Sequence, residues 1–309
     1  MERKLVTVKE WQDRLSANFT KHNSVGGSLF ELFEVEVAAG AGFVKQYTGH
    51  RQLSDAAQSF ALDTLASVTS EQINACSQKV AEFPLIFVDY ITTFRRLRSA
   101  DILSTKCYLG PALALLRDVM DRSIHLSAIF QGKLTYTRLM GVSNEHPQKA
   151  TAAEMQNLQR KQRVKVERDL ISEFIGNKSD LTPDDIAELS VWNSAFDRET
   201  HGSMISSASE ATRWIKGGAR LKLIQSDNEL IQAMFMNRYN EVSWMFHRLL
   251  PKLQSNQGVF GEKWCKKWDV LEVSFWQMEQ SVADMGKQMP AAFIRFIDTK
   301  FPFNAHSSL

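Results

Sequence analysis

Apolar residues recur at three- and four-residue steps along most of this chain, which is the spacing that places side chains on one face of an α-helix. The clearest case is residues 109–130, where the recurring positions are Leu109, Leu113, Leu116, Met120, Ile124 and Ser127. We interpret this stretch as the central helix around which the rest of the chain packs. Less regular stripes predict further helices over about residues 8–22, 55–68, 84–103, 155–174 and 186–196.

Residues that start or break helices divide this pattern into elements. Pro84 lacks an amide hydrogen and is expected to kink or restart a helix, and Gly110 with Pro111 marks the entry to the central helix. Ser226, three residues before Glu229, has the spacing of a capping box and opens a later helix. The core side of that helix is predicted at Leu230, Met234, Tyr239, Val242, Phe246 and Leu249.

The last strong pattern belongs to a helix whose start is flanked by Gly258 and Gly261. Large residues recur there at helical spacing, namely Phe260, Trp264, Trp268, Leu271 and Phe275. An aromatic stripe of this kind is more often part of a hydrophobic core than of a cofactor site. We therefore assign it to the core.

Few helix breakers are present, with 15 glycines and 7 prolines in 309 residues, and the chain has no internal repeat or low-complexity linker. We predict an all-α fold, a single multi-helix bundle with short connections. In this prediction residues 1–68 form N-terminal helices, residues 69–254 the core and residues 255–309 C-terminal helices.

Composition and charge restrict the class of protein. Hydrophobic residues make up 44% and charged residues 23%, as in ordered globular proteins. The 37 basic and 35 acidic side chains leave a formal charge of +2, so nucleic acid would have to be bound by a local patch. The amino-terminal residues lack the apolar centre of a signal peptide, and the longest apolar run, residues 83–91, is too short to span a membrane. We expect a cytoplasmic protein that does not enter a membrane.

Familiar metal and catalytic signatures are absent. Cys76, Cys107 and Cys265 have no paired spacing, which argues against a disulfide framework and against a cysteine-based zinc site. The chain also lacks HExxH, GxSxG, an EF-hand loop and the Glu-x-x-His of helical di-iron proteins. We expect no metal and no cofactor.

Gly40 and Gly42 follow an apolar stretch and invite comparison with a phosphate-binding loop. The third glycine of a dinucleotide fingerprint is missing, as is any GK[ST] sequence. We interpret these glycines as positions of close helix packing.

Two groups of polar residues are candidates for a functional site. In the first, Arg117 and Asp121 lie one helical turn apart at the edge of the apolar stripe, with Arg122 and His125 nearby. This group is either a structural Arg–Asp pair that bridges helices, with His125 at the surface, or an anion-binding site.

In the second group, Asp197 and His201 stand four residues apart, so the carboxylate can hold the imidazole in one tautomer and raise its basicity. The alternative is an exposed, charge-rich helix end. If helix packing brings Arg117 and His201 to the same cleft, Arg117 binds an anion and His201 acts as general acid or base.

A basic face is the best nucleic-acid feature of the chain. It consists of Arg160, Lys161, Arg163, Lys165 and Arg168. Such a face contacts phosphates in many nucleic-acid-binding proteins. The alternative is an ordinary solvated helix face, because Glu154, Glu167 and Asp169 dilute the charge and no aromatic residue is interleaved to stack a base.

The two polar groups also carry a resemblance to a known family. The matching pieces are Leu115-Leu116-Arg117 with Asp121, and Thr200-His201-Gly202-Ser203. They resemble the LLR-x-x-x-[ED] and His-Gly-[Ser/Gly] segments of an uncharacterised branch of bacterial all-helical proteins in the HEPN-like superfamily. The similarity covers about residues 109–214 and implies a HEPN-like core.

Characterised HEPN proteins cleave RNA with an arginine and a histidine separated by four to six residues, often as dimers and often in toxin–antitoxin or antiphage systems. Here Arg117 precedes His125 by eight positions, and Arg198 precedes His201 by three. The resemblance therefore implies the fold without the cleavage motif.

Two functions from different classes follow. The first is a metal-independent, HEPN-like ribonuclease or related effector of bacterial defence or toxin type, with RNA as partner. In it Arg117 positions a phosphate, His201 transfers a proton and Asp121 or Asp197 orients them. The second is a non-catalytic helical interaction or scaffold protein that binds a protein partner or a second copy of itself. A small-ligand site lined by Trp and Met residues stays open as a third interpretation.

Overall fold

The computed structural model describes residues 26–69, 83–130, 229–250 and 261–284, the segments 212–215 and 218–221, and the isolated positions 9, 10, 12, 13 and 224. These residues include six long helices: α1 (Gly26–Gln46), α2 (Thr48–Ser67), α3 (Phe83–Ser104), α4 (Leu109–Phe130), α5 (Glu229–His247) and α6 (Glu262–Asp284). Two short strands, β1 (Thr212–Ile215) and β2 (Gly218–Leu221), form an antiparallel hairpin in which Ile215 is opposite Gly218.

The predicted all-α class is confirmed for the described part of the chain, because helices make up nearly all of it. The hairpin is an addition that the sequence pattern did not predict. Strands of four residues are too short to show a clear alternation of apolar and polar positions. None of the helices in the described ranges combines the length and the apolar character that crossing a membrane requires.

The helix boundaries follow the signals in the sequence. α4 spans Leu109–Phe130, which is the predicted range, and α3 begins at Phe83 with Pro84 in its first turn. Proline is tolerated there because the first amides of a helix have no intrahelical acceptor. α2 begins at Thr48, earlier than predicted, and α6 begins directly after Gly261. The predicted helices over 155–174 and 186–196 lie outside the described residues.

α5 is the most enclosed helix among the described residues. Every residue from Tyr239 to Leu250 is buried, whereas α4 is buried on all sides only from Ser123 to Ile129. α5 packs against α2, α4 and α6, and α4 packs mainly against α3 and α5. Among the described helices α5 is thus more enclosed than α4, and the interpretation of α4 as the centre of the whole chain stays a prediction. The sequence conceals the position of α5 because its polar residues are buried together with its apolar ones.

One cluster of buried hydrophobic side chains joins all six helices. Trp268, Leu271 and Phe275 belong to it, so the assignment of the aromatic stripe of α6 to the core is confirmed for these three residues. The ring of Trp268 lies 5.9 Å from that of Phe60, and Phe275 stacks on Trp244 at 6.2 Å. These contacts fix α6 against α2 and α5.

α1 is seated on the turn between α3 and α4 through a glycine. A Cβ atom at Gly40 would collide with the backbone oxygen of Thr105, so no larger residue fits without a shift. Beside it, the Tyr108 hydroxyl donates a hydrogen bond of 2.6 Å to Glu36. The chain is helical through residues 40–42. The interpretation as a close-packing position is confirmed for Gly40 and is wrong for Gly42, where a Cβ atom would meet nothing among the described residues within 4 Å.

Candidate functional site

Arg117 and Asp121 form an ion pair, as their spacing predicts. Nε of Arg117 donates to Oδ2 of Asp121 at 3.0 Å. The two residues are one turn apart on α4, where side chains at this spacing meet. The side chain of Arg117 is 12% exposed and that of Asp121 is 31% exposed. The pair therefore borders solvent on its carboxylate side.

His125 lies one turn beyond Asp121 and is buried, with only 8% of its surface exposed. The placement of His125 at the surface, which formed part of the structural interpretation, is therefore wrong. His125 is buried because the last two turns of α4 are covered on all sides, so the helix has no exposed flank there.

The other charged residues of α4 are also paired, and they connect α4 to α3. Arg122 donates from Nε to Asp118 at 2.9 Å and from Nη1 to Asp89 at 2.6 Å. Asp118 also pairs with Arg96. Burial lowers the pKa of Arg122, but the charges of Asp118 and Asp89 outweigh it and raise that pKa overall. All four carboxylate and guanidinium groups of α4 are thus in ion pairs.

The remaining predicted site residues lie outside the described residues. They are Asp197 and His201 of the second polar group and Arg160, Lys161, Arg163, Lys165 and Arg168 of the basic face. The convergence of Arg117 and His201 therefore stays a prediction.

A buried polar network centred on Asp101 of α3 was not predicted. Arg51 of α2 contacts both carboxylate oxygens of Asp101, and Nη1 of Arg98 donates to Oδ2 at 2.8 Å. The side chain of Asp101 is 1% exposed and that of Arg51 is 10% exposed. Asp101 therefore supplies the counter-charge that lets a guanidinium lie in the interior.

Ser54, Gln58 and Tyr239 complete this network and connect it to α5. Nε2 of Gln58 donates to Oγ of Ser54 at 2.9 Å and to Asp101 at 3.1 Å, and Ser54 donates to the Tyr239 hydroxyl at 3.0 Å. Burial, with the charge of Asp101, raises the pKa of Tyr239 far above its usual range. The available sequence signal was the polar stripe that Arg51, Ser54 and Gln58 form along one face of α2.

Glu241 of α5 and Glu279 of α6 are two interacting buried carboxyl groups, 1% and 2% exposed. Nη1 of Arg238 lies 2.8 Å from Oε2 of Glu241, while Oε2 of Glu279 has no hydrogen-bond partner among the described residues. Burial raises the pKa of Glu241 to about 7. Burial and the nearby charge of Glu241 raise the pKa of Glu279 to about 9. Glu279 is therefore protonated at neutral pH.

His247, near the end of α5, is fully buried beside the rings of Phe246 and Phe275. Neither of its ring nitrogens has a hydrogen-bond partner among the described residues. Burial lowers the pKa of His247 to about 3. The imidazole is therefore neutral at physiological pH and is a core residue.

A groove of about 650 Å³ lies between α2 and α6, and Phe60, Leu271 and Met278 are among the residues that line it. No residue of α4 belongs to its lining, so the Arg117–Asp121 pair and this groove are separate. In the part of the chain that the structure describes, no three His, Cys, Asp or Glu side chains come together as a metal site.

Comparison of this chain with protein-family models, with curated proteins and with solved structures finds no match. The resemblance to the HEPN-like superfamily therefore remains a prediction, and a function has to be argued from the side chains themselves.

Proposed function

We propose that this chain is a non-catalytic helical interaction protein in which the charged side chains of α4 serve helix packing. The observation that carries the proposal is the ion pairing of every carboxylate and guanidinium group of α4. A guanidinium that binds a substrate anion must have donors to offer it. The Nε of Arg117 is bound to Asp121 at 3.0 Å and only 12% of the side chain is exposed, so little of this guanidinium is accessible to a substrate anion.

The other buried polar groups support the same proposal. The network around Asp101 joins α2, α3 and α5 through hydrogen bonds, and satisfied networks of this kind fix the relative position of helices. Glu279 and His247 have shifted pKa values, but neither lines the groove between α2 and α6. A catalytic acid or base must reach its substrate, so these groups favour a structural role.

Replacement of Arg117 by alanine tests the proposal. We expect Arg117→Ala to fold and to lose about 1.5–3 kcal/mol of unfolding free energy, the range for hydrogen bonds to charged groups, because Asp121 loses its donor. Arg95 is an exposed arginine of α3 and provides the matched control. Arg95→Ala should stay within about 0.5 kcal/mol of the wild type. Urea unfolding followed by circular dichroism measures both.

An exchange of the two charges distinguishes a structural pair from a reactive arginine. We expect Arg117→Asp to be destabilised and the double variant Arg117→Asp with Asp121→Arg to recover part of the loss, because the pair is restored in reverse. If Arg117→Ala keeps the wild-type stability but abolishes an activity that the wild type displays, the proposal is wrong.

A second candidate function is a metal-independent RNA-acting effector of HEPN-like type, and one observation favours it. Arg117, Asp121 and His125 lie at successive turns along one flank of α4, and the middle residue keeps 31% of its side chain exposed. In this candidate Arg117 holds a phosphate, His201 transfers a proton, and Asp121 or Asp197 orients the reacting groups.

Incubation of the purified protein with RNA in excess chelator tests the second candidate. This candidate predicts that the wild type and Arg95→Ala cleave the RNA and that Arg117→Ala and His201→Ala leave it intact. A variant with the basic face neutralised should bind RNA more weakly and with a smaller salt dependence, because fewer counterions are released. Its substituted residues are Arg160, Lys161, Arg163, Lys165 and Arg168. Intact RNA after incubation with the wild type would contradict this candidate.

A further inference from the structure

α1 has two opposite faces, and the described residues cover only one of them. On the covered face Phe43 is 2% exposed, Gly40 abuts the Thr105 backbone and Glu36 accepts a hydrogen bond from Tyr108. The opposite face, called here the outward face, consists of Glu34, Val35, Val37, Ala38, Ala41, Gly42, Val44 and Lys45, all of which are exposed. Its three valines keep 40–51% of their surface accessible.

The outward face carries charge only at its two ends. Glu34 stands at one end and Lys45 at the other, and every outward position between them is apolar. In the described part of the chain, neither of these two residues forms an ion pair. An exposed helix face ordinarily carries charged residues along its whole length. Contiguous exposed apolar surface marks a site of interaction.

The packing of the described residues does not explain the glycine at position 42. A Cβ atom there would meet nothing within 4 Å, in contrast to Gly40, which abuts Thr105. Glycine in a helix interior costs about 1 kcal/mol relative to alanine. This cost is explained if another backbone approaches the helix closely at Gly42, where a side chain would be in the way.

We propose that the outward face of α1 binds the same face of a second copy of this chain, with the two α1 helices antiparallel. Reversal of the helix about the point between residues 39 and 40 places Glu34 opposite Lys45, Val35 opposite Val44, Val37 opposite Gly42 and Ala38 opposite Ala41. Each position is thus matched by its own counterpart, as a two-fold interface requires.

The residue types fit this arrangement. Small residues, Ala38, Ala41 and Gly42, lie near the axis, where two helix backbones come closest. Glu34 of one copy and Lys45 of the other form an ion pair at each end, so two charges that have no ion-pair partner among the described residues neutralise each other. The valines fill the space between the axis and the ends.

A lipid surface is a poorer occupant. Helices that bind anionic lipid combine an apolar face with many Lys and Arg residues on the flanks. The outward face offers one Lys and one Glu, so it has no net charge to attract such a surface. The proposal rests on the proposed function as an interaction protein and names its partner. The proposed function and the proposed dimer can fail separately. The Arg117 variants report on the stability of the protein, whereas sedimentation measures its molecular mass.

Sedimentation equilibrium of the full chain over a dilution series tests the proposal. The wild type should show a concentration-dependent dimer of twice 35.1 kDa. Val37→Glu and Gly42→Leu should be monomers with the wild-type circular dichroism spectrum, because both positions are exposed in the single chain. Val88, 60% exposed on α3, is the matched control, and Val88→Glu should still form the dimer.

A charge exchange tests the antiparallel pairing itself. Glu34→Lys places two lysines opposite each other at both ends and should weaken the dimer. Glu34→Lys combined with Lys45→Glu restores opposite charges and should restore dimerisation. A wild type that stays monomeric at every concentration, a dimer that survives Val37→Glu, or a double variant that fails to recover would each overturn the proposal.

Discussion

Asp101 is the single residue on which the largest number of described polar groups depend. It binds Arg51, Arg98 and Gln58 and is 1% exposed. Asp101→Asn keeps the shape of the side chain but removes the charge, so Arg51 stays in the interior without its counter-ion. We expect a loss of about 3–5 kcal/mol in the free energy of unfolding, as when one partner of a buried pair is removed. Urea unfolding of purified protein measures the loss.

Asp55 provides the control for this prediction. It lies 3.6 Å from the same guanidinium of Arg51 but is 63% exposed. Exposed pairs contribute little because water screens them, so Asp55→Asn should cost less than about 1 kcal/mol. Equal losses in the two variants would show that the burial of Asp101 has no energetic consequence.

At the scale of residues, the sequence predicts contacts along one helix better than contacts between helices. Arg117 and Asp121 are four apart, and helix geometry alone implies that they meet. The burial of His125 depends on which helices cover α4, and the contact of Arg51 with Asp101 depends on how α2 crosses α3. Neither follows from local spacing, and both required the packed structure.

At the scale of elements, α1 offers a comparison within a single turn of helix. Gly40 abuts the backbone of Thr105, whereas Gly42 has open space outside it. We expect Gly40→Ala to destabilise the protein by about 1–3 kcal/mol through overpacking. We expect Gly42→Ala to stabilise the monomer by up to about 1 kcal/mol, because alanine is the better helix former. Thermal unfolding at a dilution where the protein is monomeric compares the two.

Loss of stability in both variants would contradict the assignment of the outward face of α1. A gain in both would contradict the seating of this helix on the turn between α3 and α4.

Helix boundaries were predictable where a residue with a local backbone effect marks them, but not at the start of α2, which lies earlier than predicted. Pro84 and Gly261 mark the starts of α3 and α6 because their effects on the backbone are local. The hairpin of β1 and β2 was not predicted. Its strands are four residues long, which is too short to show a clear alternation of apolar and polar positions.

At the scale of the whole molecule, buried ionisable groups make stability depend on pH. The pKa values of Glu241 and Glu279 are raised from 4.5 to about 7 and about 9. The folded state therefore retains protons that the unfolded state has released. The contribution of these two carboxyl groups to the free energy of unfolding is fully present below pH 4.5. It is lost as the pH rises through 7 and 9. We expect the free energy of unfolding to fall by roughly 1.4 kcal/mol per pH unit between pH 7 and 9, the slope for one proton.

Glu279→Gln is the variant that checks this slope, because glutamine is neutral at every pH while Arg238 still faces Glu241. Urea unfolding at several pH values should show a flatter profile for the variant than for the wild type above pH 7. Parallel profiles would mean that Glu279 releases its proton at its ordinary pKa in the folded protein.

His247 has the opposite effect on the acid side. Burial lowers its pKa from 6.5 to about 3, so the unfolded state binds a proton that the folded state excludes. This contribution is present above pH 6.5 and is lost as pH falls towards 3. His247→Phe should reduce the loss of stability in acid, which the same unfolding series measures. If His247→Phe loses stability in acid as steeply as the wild type does, groups other than His247 cause that loss.

The continuous burial of residues 239–250, which begins on α5 and continues past its end at His247, bears on how the protein unfolds. Backbone amides in such a segment reach solvent only when the surrounding helices separate, so their exchange with deuterium reports complete unfolding. The outer turns of α1, exposed along one side, exchange through small local fluctuations. If protection from exchange increases from α1 to α5, then α5 is the last of the described helices to unfold. The rate at which its amides take up deuterium would then measure the rate of global unfolding.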